Sequence, residues 1–473
     1  MKISKILFSI ICIFFFSLSS PAQKQDTLIK SARFFMENGE YTMAIPLLQK
    51  YSIQFPGESL PYELIGDCFL ETNAFGEAIT NYLKSLKLNP DLFRLCYKLG
   101  SAYDIPGKSD SAIYFFRKCL SSDPNSAAAN LRISIIYLNF PPGANDSCHF
   151  YAKRALEIEP ENIQVYHVLA MSYFSLGDFE QARNSAMKGL ERDSTEVNLL
   201  QTAGQCSFHL KEYITALEYF ETAIRLTPEN TLLRDYIAQA LIMKNTDPQK
   251  IYFNAEGKVK FRGINSGNIP GIEEELTKPS GSYNYSTLLK KYRDNHASLG
   301  LDEFFMLYYG FSDQPEYSPY KVIDEELNKM LDIDLKKSTE IAEKLVVEYP
   351  ADFQNYLTLA NIYKRLGDFG KYSDNILGYF GFLESVKASG EGINPASAYI
   401  ITNISHENEI VLNMRYTAIG QKLIQEKGHN YDLLSCKDSM GKEVTLCFNI
   451  DKPYQSLLKS LPGRNKSRKR NGK

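Results

Sequence analysis

Apolar side chains recur along most of the chain at the three- and four-residue intervals of amphipathic helices, and the helices they predict come in pairs. Small residues punctuate the pattern at fixed places. "GDCFLETNAFGEA" runs from Gly66 to Ala78, and "GSAYDIPGKSDSA" sets Gly100 and Ala112 in the same positions. Laid over itself at a shift of 34 residues, the chain matches Ala44 with Ala78 and Ala112, Gly66 with Gly100, and Pro56 with Pro90 and Pro124. Amphipathicity alone does not hold such a register. Two antiparallel helices that touch along their length do, because a side chain larger than alanine at Gly66 or Ala78 would hold them apart. A ring at Tyr82 or Phe116 then fills the space between units, and Pro90 or Pro124 ends the second helix for want of an amide donor.

The register continues through a fourth unit at about 127–162, with Tyr137 and Pro160 and a turn lengthened by two residues in "FPPGAND" at 140–146. A fifth carries Ala170, Tyr173, Gly177, Phe179 and Ala182, with Ser194 in place of the closing proline. A sixth carries Gly204, Tyr213, Ala216, Phe220, Ala223 and Pro228. Six units thus span 25–230, and "TLLRDYIAQALIMK" at 231–244 reads as a capping helix. Cys119 and Cys148 fall where small buried residues belong, which makes them structural thiols.

This period and its residues resemble the tetratricopeptide repeat, a helix-turn-helix unit. The resemblance implies a superhelix that binds a protein or peptide in a groove lined by the first helices. By repeat position that groove takes Glu63, Asp67, Glu71, Arg94, Tyr97 and Asp104 on an acidic side. Leu131, Ile135, Leu138, His167, Met171, Phe174, Gln201, Gln205 and Phe208 supply apolar sockets. Repeats that grip a terminal carboxylate place Lys and Asn where this chain has Glu63 and Asp67, or His167 and Met171, so a carboxylate clamp is not expected. An extended or helical partner with apolar anchors and a basic end is.

After Lys244 the composition turns to Gly, Pro, Asn and Ser with one short strand in "KVKFRGI", and 245–264 reads as a linker. From 265 to 455 a smaller α+β domain is expected. It begins helically, buries "DEFFMLYYGF" at 302–311, and embeds a repeat-like helical hairpin at 337–372 marked by Pro350, Ala360, Tyr363, Gly367 and Phe369. "YDLLSCKD" and "KEVTLCFNID" close it as an antiparallel β-hairpin. Cys436 and Cys447 stand on those two strands, so a disulfide is open to an exported protein, against the strain of adjacent-strand bridges. This part resembles a domain of unknown function of secreted bacterial proteins through Leu307 to Gly310, the "SGEG" at 389–392, and the His406–Glu407 pair. The resemblance implies no activity. Tyr308, Tyr309, His406 and Glu407 are its candidate surface residues.

No chemistry-bearing motif is complete. "HENEIV" lacks the second histidine of a zinc-binding helix, Gly390 and Gly392 have no following Gly-Lys-Ser/Thr, and "GINSG" at 263–267 sets its serine one place too late for a nucleophile elbow. No cofactor and no metal are expected. A formal charge of -3 gives no pull toward nucleic acid, and eight cysteines, one of them Cys12, are too sparse in 473 residues for a disulfide scaffold. Lys2, Lys5, the apolar run Ile6 to Leu18 and "SSPAQ" read as a signal peptide of residues 1–22, after which no segment is long and apolar enough to cross a membrane. The tail at 456–473, with six basic residues in "GRNKSRKRNGK", reads as a solvated end. The sequence thus predicts a mainly α, exported, non-catalytic scaffold, periplasmic or secreted. The competing reading is an envelope enzyme of hydrolase type whose repeats recruit substrate, with Tyr308, His406 and Glu407 as its participants.

Overall fold

The structure, a computed structural model, describes residues 21–90, 94–139, 145–279, 281–320 and 325–460. Most of the signal-peptide segment, most of the lengthened turn at 140–146 and the tail from 461 onward lie outside the described residues. The chain divides into two compact units, Met1–Ser194 and Thr195–Lys473.

The described part of the first unit is five helix pairs: α1 (Pro21–Glu37) with α2 (Tyr41–Gln54), α3 (Leu60–Glu71) with α4 (Phe75–Leu88), α5 (Arg94–Asp104) with α6 (Ser109–Ser122), α7 (Ala127–Leu138) with α8 (Asn145–Ile158), and α9 (Ile163–Ser175) with α10 (Phe179–Leu190). Second helices stop two residues short of each register proline, at Gln54 before Pro56, Leu88 before Pro90, Ser122 before Pro124 and Ile158 before Pro160. The residue ahead of a proline is driven out of the α region, so the stop is local. The turn inside a pair needs one left-handed residue, supplied by Gly39, Asn73, Gly107 and Gly177 with φ of 73°, 59°, 78° and 79°.

Glycine also sets the close approach. A Cβ on Gly66 would come within 2.5 Å of the Tyr82 ring, and one on Gly100 within 2.6 Å of the Phe116 ring, both rings being wholly buried. Where the ring position holds Ala152 or Ala186, the glycine position holds Ser134 or Ala170, and all four are buried.

The second unit begins with the sixth repeat, α11 (Val197–His209) and α12 (Tyr213–Leu226), followed by α13 (Thr231–Asn245). α13 does more than cap an array. Ala238, Ile242 and Met243 enter the same core as Ile251, Phe261, Phe304 and Phe382, and the Tyr372 hydroxyl donates to Asp235 Oδ1 at 2.7 Å. The segment 245–264 holds the antiparallel hairpin of β1 (Ile251–Phe253) and β2 (Val259–Phe261), with Ile251 and Phe261 buried. Then follow α14 (Ile269–Thr277), α15 (Tyr285–Asn295), α16 (Leu301–Phe311), α17 (Glu325–Met330), α18 (Leu335–Glu348), α19 (Phe353–Leu366) and α20 (Phe369–Ala388). The repeat-like hairpin expected at 337–372 is α18, α19 and the start of α20, with Gly367 left-handed at 75° and α18 ending at Glu348, two residues before Pro350.

The unit closes with β3 (Tyr399–Ile400), α21 (Ser405–Asn413), β4 (Thr417–Glu426), β5 (His429–Lys437), β6 (Glu443–Asn449) and α22 (Asp451–Ser460). The sheet order is β3-β6-β5-β4, with β3 parallel to β6 and the other pairs antiparallel. The expected hairpin is β5–β6. β4 escaped the sequence reading because it is an edge strand exposed along nearly its whole length, so its side chains carry no burial rhythm. The Cys436–Cys447 bridge left open by the sequence does not form: Cys436 pairs with Val444 and Cys447 with Leu433, an odd offset that turns the two thiols to opposite faces. Both are free and buried, Cys436 in the main core and Cys447 beside Ala398 and Tyr431.

Candidate functional site

In the first unit the groove positions lie on α3, α5, α7 and α9, and most of their charges are paired. Glu63, 4 % exposed on α3, receives Arg94 Nη2 at 2.6 Å and Lys98 Nζ at 2.9 Å, both from α5. Lys98 also reaches Asp67 at 2.7 Å, and the Tyr82 hydroxyl donates to that same carboxylate at 2.8 Å. Burial pushes the Glu63 carboxyl up, but Arg94 and Lys98 outweigh it and hold it below the usual range. One repeat on, Arg132 of α7 pairs with Asp104 of α5. Glu63, Asp67 and Asp104 of the expected acidic flank thus form a ladder that ties successive first helices together, while Glu71 of that flank is exposed. What remains half-buried on this face is Tyr97, Ile135, Leu138, His167, Met171 and Phe174, while Leu131 is buried. Tyr97 leans on Phe116 with ring centroids 5.4 Å apart, and Phe174 meets Phe179 edge-on at 5.2 Å.

The remaining groove positions fall in the second unit. Gln205 donates to the Tyr236 hydroxyl, Gln201 is half-buried, and Phe208 packs against the main core with its ring edge-on to Tyr213 at 5.4 Å.

Tyr308, Tyr309, His406 and Glu407, expected on a surface, are all buried, between 0 and 3 % exposed. The reason is α16, whose residues are all buried except Glu303, so that no side of "LDEFFMLYYGF" faces water. The Thr402 amide donates to Tyr308 Oη at 2.8 Å, and the Tyr308 hydroxyl lies 3.0 Å from His406 Nδ1. With Nδ1 accepting from the phenol, the imidazole proton sits on Nε2, which faces Asp352 Oδ1 at 3.4 Å. Asp352 is also the N-cap of α19, accepting from the Gln354 amide at 3.2 Å, and Phe353 stacks on the imidazole at 4.0 Å. Burial pushes the Tyr308 hydroxyl up. The adjoining space, lined by His406, Asp352, Asn403 and Tyr317, is about 10 Å³, room for one water. The network joins α16, α19 and α21.

Of three further buried charged groups, Glu407 was among the sequence candidates, while Asp432 and Lys260 gave no sequence signal. Among the described residues Glu407 Oε1 and Asp432 Oδ1 have no hydrogen-bond partner, and burial followed by the Asp432 charge pushes the Glu407 carboxyl up to about 8. Lys260, 3 % exposed, donates to the Lys387 carbonyl at 2.7 Å and to the Gly390 carbonyl, and burial pushes its ammonium down to about 8. A lone carboxylate or ammonium on a strand or helix looks like surface until the fold closes over it. The "SGEG" loop is structural too, since the amides of Glu391 and Gly392 both donate to the Ser397 carbonyl, at 2.7 and 2.8 Å. Among the described residues no group of three or more His, Cys, Asp or Glu is placed to hold a metal ion, and no helix is long and apolar enough to cross a membrane.

Comparison with known proteins agrees with this architecture. Residues 66–104 match a TPR repeat family, residues 93–126, 163–196 and 197–230 match the tetratricopeptide repeat, and residues 270–459 match the domain of unknown function DUF4919. The chain carries tetratricopeptide repeats of the protein-interaction type, followed by a DUF4919 domain. Human DnaJ homolog subfamily C member 7 is 23 % identical over 247 residues, 48 % of this chain and 49 % of that protein. Human protein O-mannosyl-transferase TMTC1 is 22 % identical over 219 residues, 45 % of this chain and 24 % of that protein. The chain thus spans about half the length of the first relative and about a quarter of the second. Among solved structures, a tetratricopeptide repeat protein from Parabacteroides merdae matches at 14 % identity with TM-score 0.39, covering 46 % of this chain and 91 % of its own. PilF of Pseudomonas aeruginosa matches at 14 % identity with TM-score 0.40, covering 46 % of this chain and 98 % of its own.

Proposed function

We propose that the chain is an exported, non-catalytic scaffold of the bacterial envelope that grips an extended or helical segment of a partner protein through apolar anchors on the first-helix face of its first unit. One observation carries the reading. Ile135, His167, Met171 and Phe174 remain half-buried at recurring repeat positions, next to charges that are already paired within the array. Such a face offers apolar sockets without an ionic clamp, and a partner docks there by burying anchor side chains. The export half rests on the basic start, apolar run and small-residue site within residues 1–22. Against the enzyme reading stands the second-unit network, where both ring nitrogens of His406 face protein groups in a space of about 10 Å³.

One experiment tests both halves. A photo-reactive benzoylphenylalanine replaces Ile135 in the full chain produced in its own host, and the exported fraction is analysed after irradiation. The expected result is a protein adduct on material beginning at Gln23, lost when Met171→Glu is added. Material that keeps residues 1–22 would overturn export, and an adduct indifferent to Met171→Glu would overturn the groove.

A further inference from the structure

The second unit contains a cavity of about 200 Å³ that neither the repeats nor the Tyr308 network uses. Its floor is apolar: Phe208 from the end of α11, Ile242 and Met243 from α13, and Leu301 from the start of α16. An apolar cavity of roughly 150 Å³ holds a benzene ring, so this one has room for a ring and a short polar extension.

The rim carries two lysines, Lys258 and Lys387, together with the Glu384 carboxylate, and is held in place. Lys258 sits in the β1–β2 turn, where Asn254 Oδ1 accepts from the Glu256 and Lys258 amides at 3.1 and 2.9 Å and Gly257 takes φ 74°. It pairs with Glu256 at 2.7 Å, with the two side chains 54 % and 68 % exposed. A pair so exposed is weak, so Lys258 turns to another anion at little cost. Across the mouth Lys387 is fixed by Glu384 Oε1 at 2.7 Å and Asn413 Oδ1 at 2.8 Å. An ammonium has three donors, and these bonds use two.

We propose that this cavity binds a small aromatic or branched aliphatic monocarboxylic acid, with its apolar body on Phe208, Met243 and Leu301 and its carboxylate between Lys258 and Lys387. The size excludes long acyl chains, and the rim selects acid over neutral analogue. Phe208 thereby belongs to a ligand cavity of the second unit, in place of the peptide-groove role its repeat position suggests.

The probes are 3-phenylpropionate and its neutral amide, titrated into the full chain by calorimetry at pH 7. The acid is expected to bind saturably at one site with a dissociation constant on the order of 0.1–1 mM. Lys258→Gln, at an exposed turn, is expected to weaken the acid about threefold or more and to leave the amide unchanged. Val259→Phe, which fills the cavity from β2, is expected to abolish binding of both. Should Val259→Phe fail to fold by circular dichroism, Lys258→Gln decides alone through the acid-to-amide ratio. No saturable binding of 3-phenylpropionate, equal binding to a folded Val259→Phe chain, or an acid-to-amide ratio untouched by Lys258→Gln would each overturn the proposal.

Discussion

The two units solve the same problem, burying helices against helices, in different ways. In the first, each contact is set within the repeat or with its neighbour: a glycine meets a ring sixteen residues on, and Glu63 meets Arg94 and Lys98 of the next pair. Its clusters are small and separate, as with Cys96, Phe116 and Ile133 in one and Leu131, Ala152 and Leu169 in another. In the second unit one core runs from Ala238 to Ile450 and encloses polar groups drawn from far apart in sequence, as Tyr308 is from His406. A repeat array distributes stability among nearest neighbours, whereas a single core holds it in common.

The largest test of that contrast is overpacking one glycine in each unit. Gly100→Leu drives a side chain into Phe116, and Gly381→Leu drives one into Phe304. Each is expected to cost about 3 kcal/mol or more. Hydrogen exchange should show Gly100→Leu opening α3 to α8 alone, while Gly381→Leu exposes amides throughout α13 to β6 together. Uniform loss of protection in both variants would erase the distinction.

A smaller effect sharpens it at the ladder. Arg94→Ala with Lys98→Met leaves Glu63 buried without its counterions, at a cost of about 2–4 kcal/mol at neutral pH. The carboxyl is held below its ordinary value of 4.5, so its contribution is present above that pH and is lost as pH falls through the folded value. Denaturant midpoints of the double variant should therefore approach the parent's in acid. Adding Glu63→Gln should recover part of the loss, and a triple variant no better than the double would refute the assignment.

The smallest effect has the opposite sign. Glu407 is pushed up to about 8, so between 4.5 and that value the native state binds the extra proton and stability falls as pH rises. Glu407→Gln is expected to stabilise the second unit by about 1–2 kcal/mol at pH 8 and to change little at pH 4.5, read as the difference in urea midpoint. A parent-like slope in the variant would show the carboxyl to be solvated.

The repeats, their turns and their stops were legible in the sequence because every determinant lies within a few dozen residues. Gly66 and Tyr82, the left-handed Gly177, and the prolines that close the second helices act on their own neighbourhood. Periodicity in sequence becomes periodicity in space without any knowledge of the rest of the chain. The sequence alone likewise settled the kind of residue that stands at each groove position.

Only the tertiary structure decided which of those residues are available. Glu63 and Asp67 read as an acidic face until α5 brought Arg94 and Lys98 across, and Phe208 read as a groove residue until α13 and α16 made it the wall of a cavity. Tyr308, His406 and Asp352 meet only because three helices converge, and Cys436 and Cys447 part only because strand register turns them to opposite faces. Charge pairing, desolvation and facing depend on distances in space that no local spacing encodes, so the chain fixes its repeats residue by residue, while the chemistry of its second unit arises only when distant segments close on one another.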